Sequence, residues 1–145
     1  MRIIIKRFYY DSKVAKMLLA FSSCHTITIG PFVFSKRSKD DIEQNVRNHE
    51  TCHSIQWIEL ACITGIIVLI LQLLFGCSAW WYFSAAIMFY LWYGIEFLVR
   101  LVLNRSFKKA YRAIAFEQEA YGSEKDCNYI ENRPLFSWLK FITIA

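Results

Sequence analysis

His49-Glu50-Thr51-Cys52-His53 sets two imidazoles four residues apart, with a carboxylate beside the first. On a helix, side chains four apart share one face, about a turn from each other. Both rings can therefore reach one metal ion, and Glu50 is placed to hold a water on that ion and take its proton. The chemistry this spacing points to is hydrolysis by metal-activated water. A catalytic zinc takes three protein ligands and keeps a fourth position for water, so a third donor is required. Glu117 is the candidate. Cys52, one turn from His49, offers a rival Cys/His set that would need a further thiolate.

The elements that must position these residues follow from periodicity. Ile42, Val46, His49, His53, Gln56 and Leu60 recur every three or four residues and put both histidines on an inward stripe. The helix is expected over 38–57, capped by Ser38 with Asp41 three residues on, and running on into an apolar segment. A later helix is expected over 106–122, with Phe107, Ala110, Ile114, Glu117 and Tyr121 inward and Gly122 as its stop. An unpartnered carboxylate on that stripe would be costly, so Glu117 asks for a partner. Glu119 falls on another face and reads as solvated.

Between the two motifs the chain is oily. Of 145 residues, 56% are hydrophobic, 17% aromatic and only 20% charged. Residues 58–75 and 80–103 each approach the roughly 20 residues that cross a bilayer as a helix, and Gly76-Cys77-Ser78-Ala79 leaves room only for a tight turn. The 17 Lys and Arg all lie outside that turn, from Arg2 to Arg47 and from Arg100 to Lys140. By the positive-inside rule both termini are cytoplasmic. The net charge of +5 then reflects topology and anionic lipid, and no nucleic-acid motif accompanies it. A hairpin returns Glu117 to the compartment of the histidines. Straight continuation of the second span would carry Glu117 roughly 20 Å beyond the membrane at 1.5 Å per residue, so the chain must turn near Asn104 to Ser106.

The flanks are less informative. Residues 1–37 form a small β-rich segment, with strands expected over Arg2–Tyr10 and Thr26–Phe34, the second bent at Gly30-Pro31. Asp11–Phe21 reads as a short helix with Val14, Met17, Leu18 and Phe21 on one face. The apolar run Met17–Phe21 ahead of Cys24 is too short for a lipoprotein leader. Residues 123–145 form a tail that either docks on the core or lies in the interface. Glu96 and Arg100 have the spacing of a helical ion pair. The five cysteines have no paired-ligand spacing and read as reduced thiols.

His49-Glu50-x-x-His53 followed on a later helix by Glu117-x-x-Ala120 resembles the gluzincin zinc peptidases, above all their minimal minigluzincin core. The layout is similar to integral-membrane zinc peptidases of the prenyl-protein-processing and heat-shock types, which set membrane helices between the two motifs. With Gln56, Ala-Tyr-Arg and Phe-Glu-x-Glu-Ala, residues 25–140 also resemble small membrane proteins of Bacteroidetes-type bacteria. The resemblance implies a Zn2+ cofactor held by His49, His53 and Glu117, with Glu50 as catalytic base and Gln56 and Tyr121 around the ligands. It also implies an edge strand, the counterpart of Thr26–Phe34, that aligns extended substrate. Many membrane gluzincins carry Asp where this chain has Tyr121, and a phenol adds no negative charge. Tyr111, Arg112 and His25 are candidate oxyanion donors.

The expectation is therefore a single-domain α+β membrane protein of 1–145: a transmembrane helix hairpin, a small N-terminal sheet and zincin-like helices. Its expected function is peptide-bond hydrolysis near the cytoplasmic surface of a bacterial inner membrane. Its partners would be a peptide or protein substrate, the lipid bilayer and a membrane-complex partner, with no nucleic acid. The alternative is a non-catalytic membrane subunit or adaptor that retains the zincin-like scaffold.

Overall fold

The computed structural model describes residues 8–142, and these are mostly helical with one small three-stranded sheet. Two compact units share the chain: Met1–Ile55 with Glu119–Pro134, and Gln56–Gln118 with Leu135–Ala145.

In the first unit, β1 (Phe8–Tyr9), β2 (Thr26–Ile29) and β3 (Phe32–Ser35) form the sheet in the order β1-β3-β2. The central β3 pairs in parallel with β1 and antiparallel with β2. Gly30, at φ 58°, and Pro31 make the two-residue turn of the β2–β3 hairpin. A positive φ at the first turn position followed by the fixed negative φ of proline is what a type II′ turn needs. The single bent strand expected over Thr26–Phe34 is thus two strands, and the sheet edge falls on β2. Of the strand expected over Arg2–Tyr10, residues 2–7 lie outside the described residues. Along β3 the buried face carries Val33 and Ser35, while Phe34 on the other face stacks with Tyr9 at 5.2 Å between centroids.

Helix α1 (Lys13–Leu18) is shorter than its sequence pattern and buries a different face. Ala15 and Leu19 are buried, whereas Val14, Met17, Leu18 and Phe21 are exposed. A helix of this length packs on three short strands through one i, i+4 pair only, so the larger side chains stay outside. Helix α2 (Gln44–Phe75) starts later than expected. Ser38 Oγ does donate to Asp41 Oδ2 at 2.6 Å, but this bond closes a loop instead of capping the helix. Arg47 ties that loop down, donating to the carbonyls of Lys39 at 2.6 Å and Ile42 at 2.9 Å. Beyond this, α2 is one continuous helix, so the motif helix does run on into the first apolar segment.

The second unit holds the rest of α2, the turn at Gly76 (φ 66°), a 3₁₀ turn over Ala79–Tyr82 and α3 (Phe83–Asn104). Both α2 and α3 are long and apolar enough to cross a membrane. They are not flush. The indole of Trp57 donates to the carbonyl of Ala86 at 3.0 Å, and Leu60 shares a core cluster with Phe89. In a hairpin with aligned ends Trp57 and Ala86 would lie about 20 Å apart along the axis, so α3 begins well down the side of α2.

At Arg105 the backbone turns left-handed (φ 49°, ψ 28°) and ends α3, at the break the sequence demands. Helix α4 (Phe107–Arg112) then folds back on α3, Phe107 beside Phe97 with ring centroids 6.2 Å apart. The single helix expected over 106–122 is in fact α4 and α5 (Ala115–Ser123). The division has a cause: Glu96 on α3 accepts the amide of Ala115 at 2.9 Å, starting a new helix there. The phase resets, so Ala110, Ile114 and Glu117 are buried while Phe107 and Tyr121 are exposed.

The tail docks on the core. After the short α6 (Tyr129–Asn132) of the first unit, Glu59 accepts the Phe136 amide at 2.8 Å and the Trp138 indole at 3.2 Å. Trp138 joins Phe116, Phe89, Ile114, Ala115 and Leu60 in the buried cluster.

Candidate metal centre

The first turns of α2 bring the two histidines together, edge to face. His49 Nε2 and His53 Nε2 lie 3.1 Å apart, with ring planes at 83°. Zinc–nitrogen bonds of 2.0–2.1 Å in a tetrahedral site put neighbouring donors about 3.3 Å apart. The pair is therefore spaced for one ion without moving the helix. His53 is buried at 8% exposure, which limits water on that side.

The other nitrogen of His49 has a carboxylate beside it. His49 Nδ1 is 3.4 Å from Glu124 Oε2, and the Tyr121 ring packs edge-on against the imidazole at 4.6 Å. Metal-binding histidines commonly turn their second nitrogen to a carboxylate, which fixes ring orientation and strengthens the donor. Tyr121 thus contributes a ring contact, and Glu124 the negative charge that position 121 lacks. Asn48 holds this segment in place, its amide donating to the carbonyls of Glu124 at 3.0 Å and Asp126 at 3.2 Å. The signal was in the sequence: Glu117, Tyr121 and Glu124 are spaced i, i+4, i+7.

Glu50 faces the sheet edge. The Thr28 hydroxyl on β2 donates to Glu50 Oε2 at 2.5 Å, and Ser54 donates to the Pro31 carbonyl at 2.8 Å. The edge strand is thereby fastened along the motif helix, with a hydroxyl orienting the candidate base. Sequence reasoning missed Thr28, because a one-residue choice of partner depends on strand register.

Within the second unit, Glu117 is buried at 1% exposure in the first turn of α5. It has the partner its position demands: Tyr93 Oη on α3 donates to Glu117 Oε1 at 2.8 Å. Gln56, fully buried, donates to the Phe116 carbonyl at 3.1 Å. Its role is to hold the backbone next to Glu117.

Glu119, expected in solvent, is instead buried at 1% exposure. It accepts from Arg133 Nε at 2.7 Å, Arg133 Nη2 at 3.0 Å and Tyr129 Oη at 2.7 Å. Helix α5 is covered on more than one side, with Phe116, Glu117, Glu119 and Ala120 all buried, so Glu119 has no solvated face to occupy. Buried ions need such pairing.

Among the described residues, the first unit thus offers two paired imidazoles, His49 and His53, and the second a buried carboxylate, Glu117. Cys52 is fully buried, and His25 is exposed. Glu96 is a structural carboxylate, paired with Arg100 at 3.3 Å as well as starting α5. The chain matches no family model, no curated protein and no solved structure.

Proposed function

We propose that this protein is a membrane-bound zinc metallopeptidase of gluzincin type, with His49, His53 and Glu117 as ligands and Glu50 as base. The observation that carries the reading is the His49–His53 pair, set on one face of α2 at the spacing of a single ion's ligands. Two imidazoles and a carboxylate are a catalytic zinc set, which leaves one position open. The donor chemistry fits further: the histidine nitrogens are 3.1 Å apart, and both His49 and Glu117 have orienting partners. When bound, zinc supplies Lewis acidity, lowering the pKa of water to about 7.

The rest is done by the chain. Glu50, held by the Thr28 hydroxyl, accepts the proton of the attacking water and passes it to the leaving amine. Glu124 and Tyr93 keep the ligands from rotating away. The free edge of β2 offers an extended peptide backbone hydrogen bonds on the Glu50 side of the sheet.

The membrane part of the proposal rests on exposure. Only 22% of the most apolar window of the α2 helix, and 11% of that of the α3 segment, is buried. A soluble core helix would be mostly covered, whereas these present Ile66, Ile67, Leu73, Leu74, Leu98 and Val102 outward. The chain then sits in a bacterial inner membrane with both termini cytoplasmic.

Zinc analysis of purified protein tests the reading. Wild type and Glu50→Gln should each hold one zinc, Glu117→Ala should lose it, and only wild type should turn over peptide. A metal-free wild type refutes the site. Zinc without turnover would leave a scaffold or adaptor.

A further inference from the structure

We propose that the α3–α4 junction is a binding site for the phosphate headgroup of an anionic phospholipid, an inference that rests on the membrane reading and not on the zinc. An open cavity of about 540 Å³ lies there, lined by Asn104, Lys108, Lys109, Arg112, Ala113 and Gln118. Three of the lining side chains are cations, two are amides and none is a carboxylate. The three cations favour an anion and offer it several N–H donors, while the Asn104 and Gln118 amides each already donate to a main-chain carbonyl, of Arg100 at 2.9 Å and Ala113 at 2.7 Å. A phosphodiester fits that donor set.

Position selects the lipid over a soluble anion. Helix α3 belongs to an apolar segment long enough to cross a membrane. Its exposed apolar side chains continue through Leu98, Val99, Val102 and Leu103 to the residue before Asn104. Because α4 folds back against α3, with Phe107 beside Phe97, Lys108, Lys109 and Arg112 are kept close to that apolar surface. Phe107 itself is 73% exposed and extends that apolar surface. One stretch of chain therefore presents surface for acyl chains and cations for the phosphate.

The test uses purified protein reconstituted in phosphatidylcholine vesicles, with spin-labelled phosphatidylglycerol or spin-labelled phosphatidylcholine as probe. The motionally restricted fraction of each label gives their relative association. Wild type should prefer phosphatidylglycerol. Each single variant Lys108→Gln, Lys109→Gln or Arg112→Gln should reduce that preference about fivefold at low salt, and the triple variant should bring it to parity. A control triple, Lys13→Gln/Arg37→Gln/Lys39→Gln, removes as many charges and should leave it unchanged. Should the junction triple fail to fold, the singles and a salt titration of wild type still decide. Equal association of both lipids with wild type, or full preference in the junction variants, overturns the proposal. Displacement of the lipid by millimolar inorganic phosphate overturns it too, in favour of a soluble anion. Recovery of the protein in an alkaline carbonate supernatant would defeat the membrane reading separately.

Discussion

Replacing Glu124 with glutamine should weaken zinc binding while leaving the fold intact. Glu124 Oε2 lies 3.4 Å from His49 Nδ1, and the two side chains are only 22% and 12% exposed, so solvent screens the pair incompletely. Two full unit charges at that distance would interact by about 5 kcal/mol at an effective dielectric of about 20. A ligand imidazole carries only part of the ion's charge, so the effect must fall well below that ceiling. Loss of a carboxylate behind a ligand histidine typically costs 10–100-fold in metal affinity, or about 1.4–2.7 kcal/mol. Glutamine retains an oxygen acceptor and should sit near tenfold; Glu124→Ala loses charge and acceptor and should approach a hundredfold. The assay is competition against a chromophoric zinc chelator, with circular dichroism to verify helix content. Tyr121→Phe, which keeps the ring against His49, should stay close to wild type. An affinity for Glu124→Gln within twofold of wild type would refute the reasoning and return the orienting role to position 121.

Tyr93→Phe removes a 2.8 Å hydrogen bond to the buried Glu117 carboxylate; hydrogen bonds to charged groups contribute about 1.5–3 kcal/mol. Zinc affinity in the same competition assay should fall at least about tenfold. Arg133→Ala strands Glu119, whose side chain is 0% exposed, and should cost about 3–5 kcal/mol, read as a lowered Tm in detergent. The double variant Arg133→Met/Glu119→Leu should recover much of that loss, since no charge is left buried alone. Finally, an impermeant maleimide should label Cys77 in the turn from outside intact inner-membrane vesicles of inverted orientation only after the bilayer is opened. The exposed Cys24 and Cys127 should label at once; the opposite pattern overturns the proposed orientation.

Several features were legible because they depend on short-range geometry. His49 and His53 share a helix face by spacing alone, and the helix carrying them does continue into an apolar segment. The break after Asn104 followed from a length argument, and the left-handed Arg105 is where it occurs. The placement of Glu117 on a buried stripe was also correct, although the stripe itself was drawn too long. Misreadings came where a side chain from elsewhere interrupts the local pattern. Glu96 caps Ala115 and splits the expected helix at 106–122, and Arg133 pairs with Glu119 on a face that the sequence pattern leaves to solvent. The Ser38–Asp41 pair has the spacing of a helix cap but closes a loop before Gln44.

By itself the sequence determined the types of candidate ligand, the shared helix face of His49 and His53, and two segments of membrane-crossing length and apolarity. These follow from covalent spacing and composition, which no neighbour can change. Only the tertiary structure decided which groups accompany the candidate site residues: Glu124 beside His49, Tyr93 on Glu117 and Thr28 on Glu50. It also decided that α3 starts down the side of α2, and that Glu59 and Glu96 serve as anchors for Trp138 and Ala115. Such pairings join residues up to 79 positions apart. They depend on side-chain packing and on the need to satisfy each buried polar group, neither of which has a period that one chain segment can display.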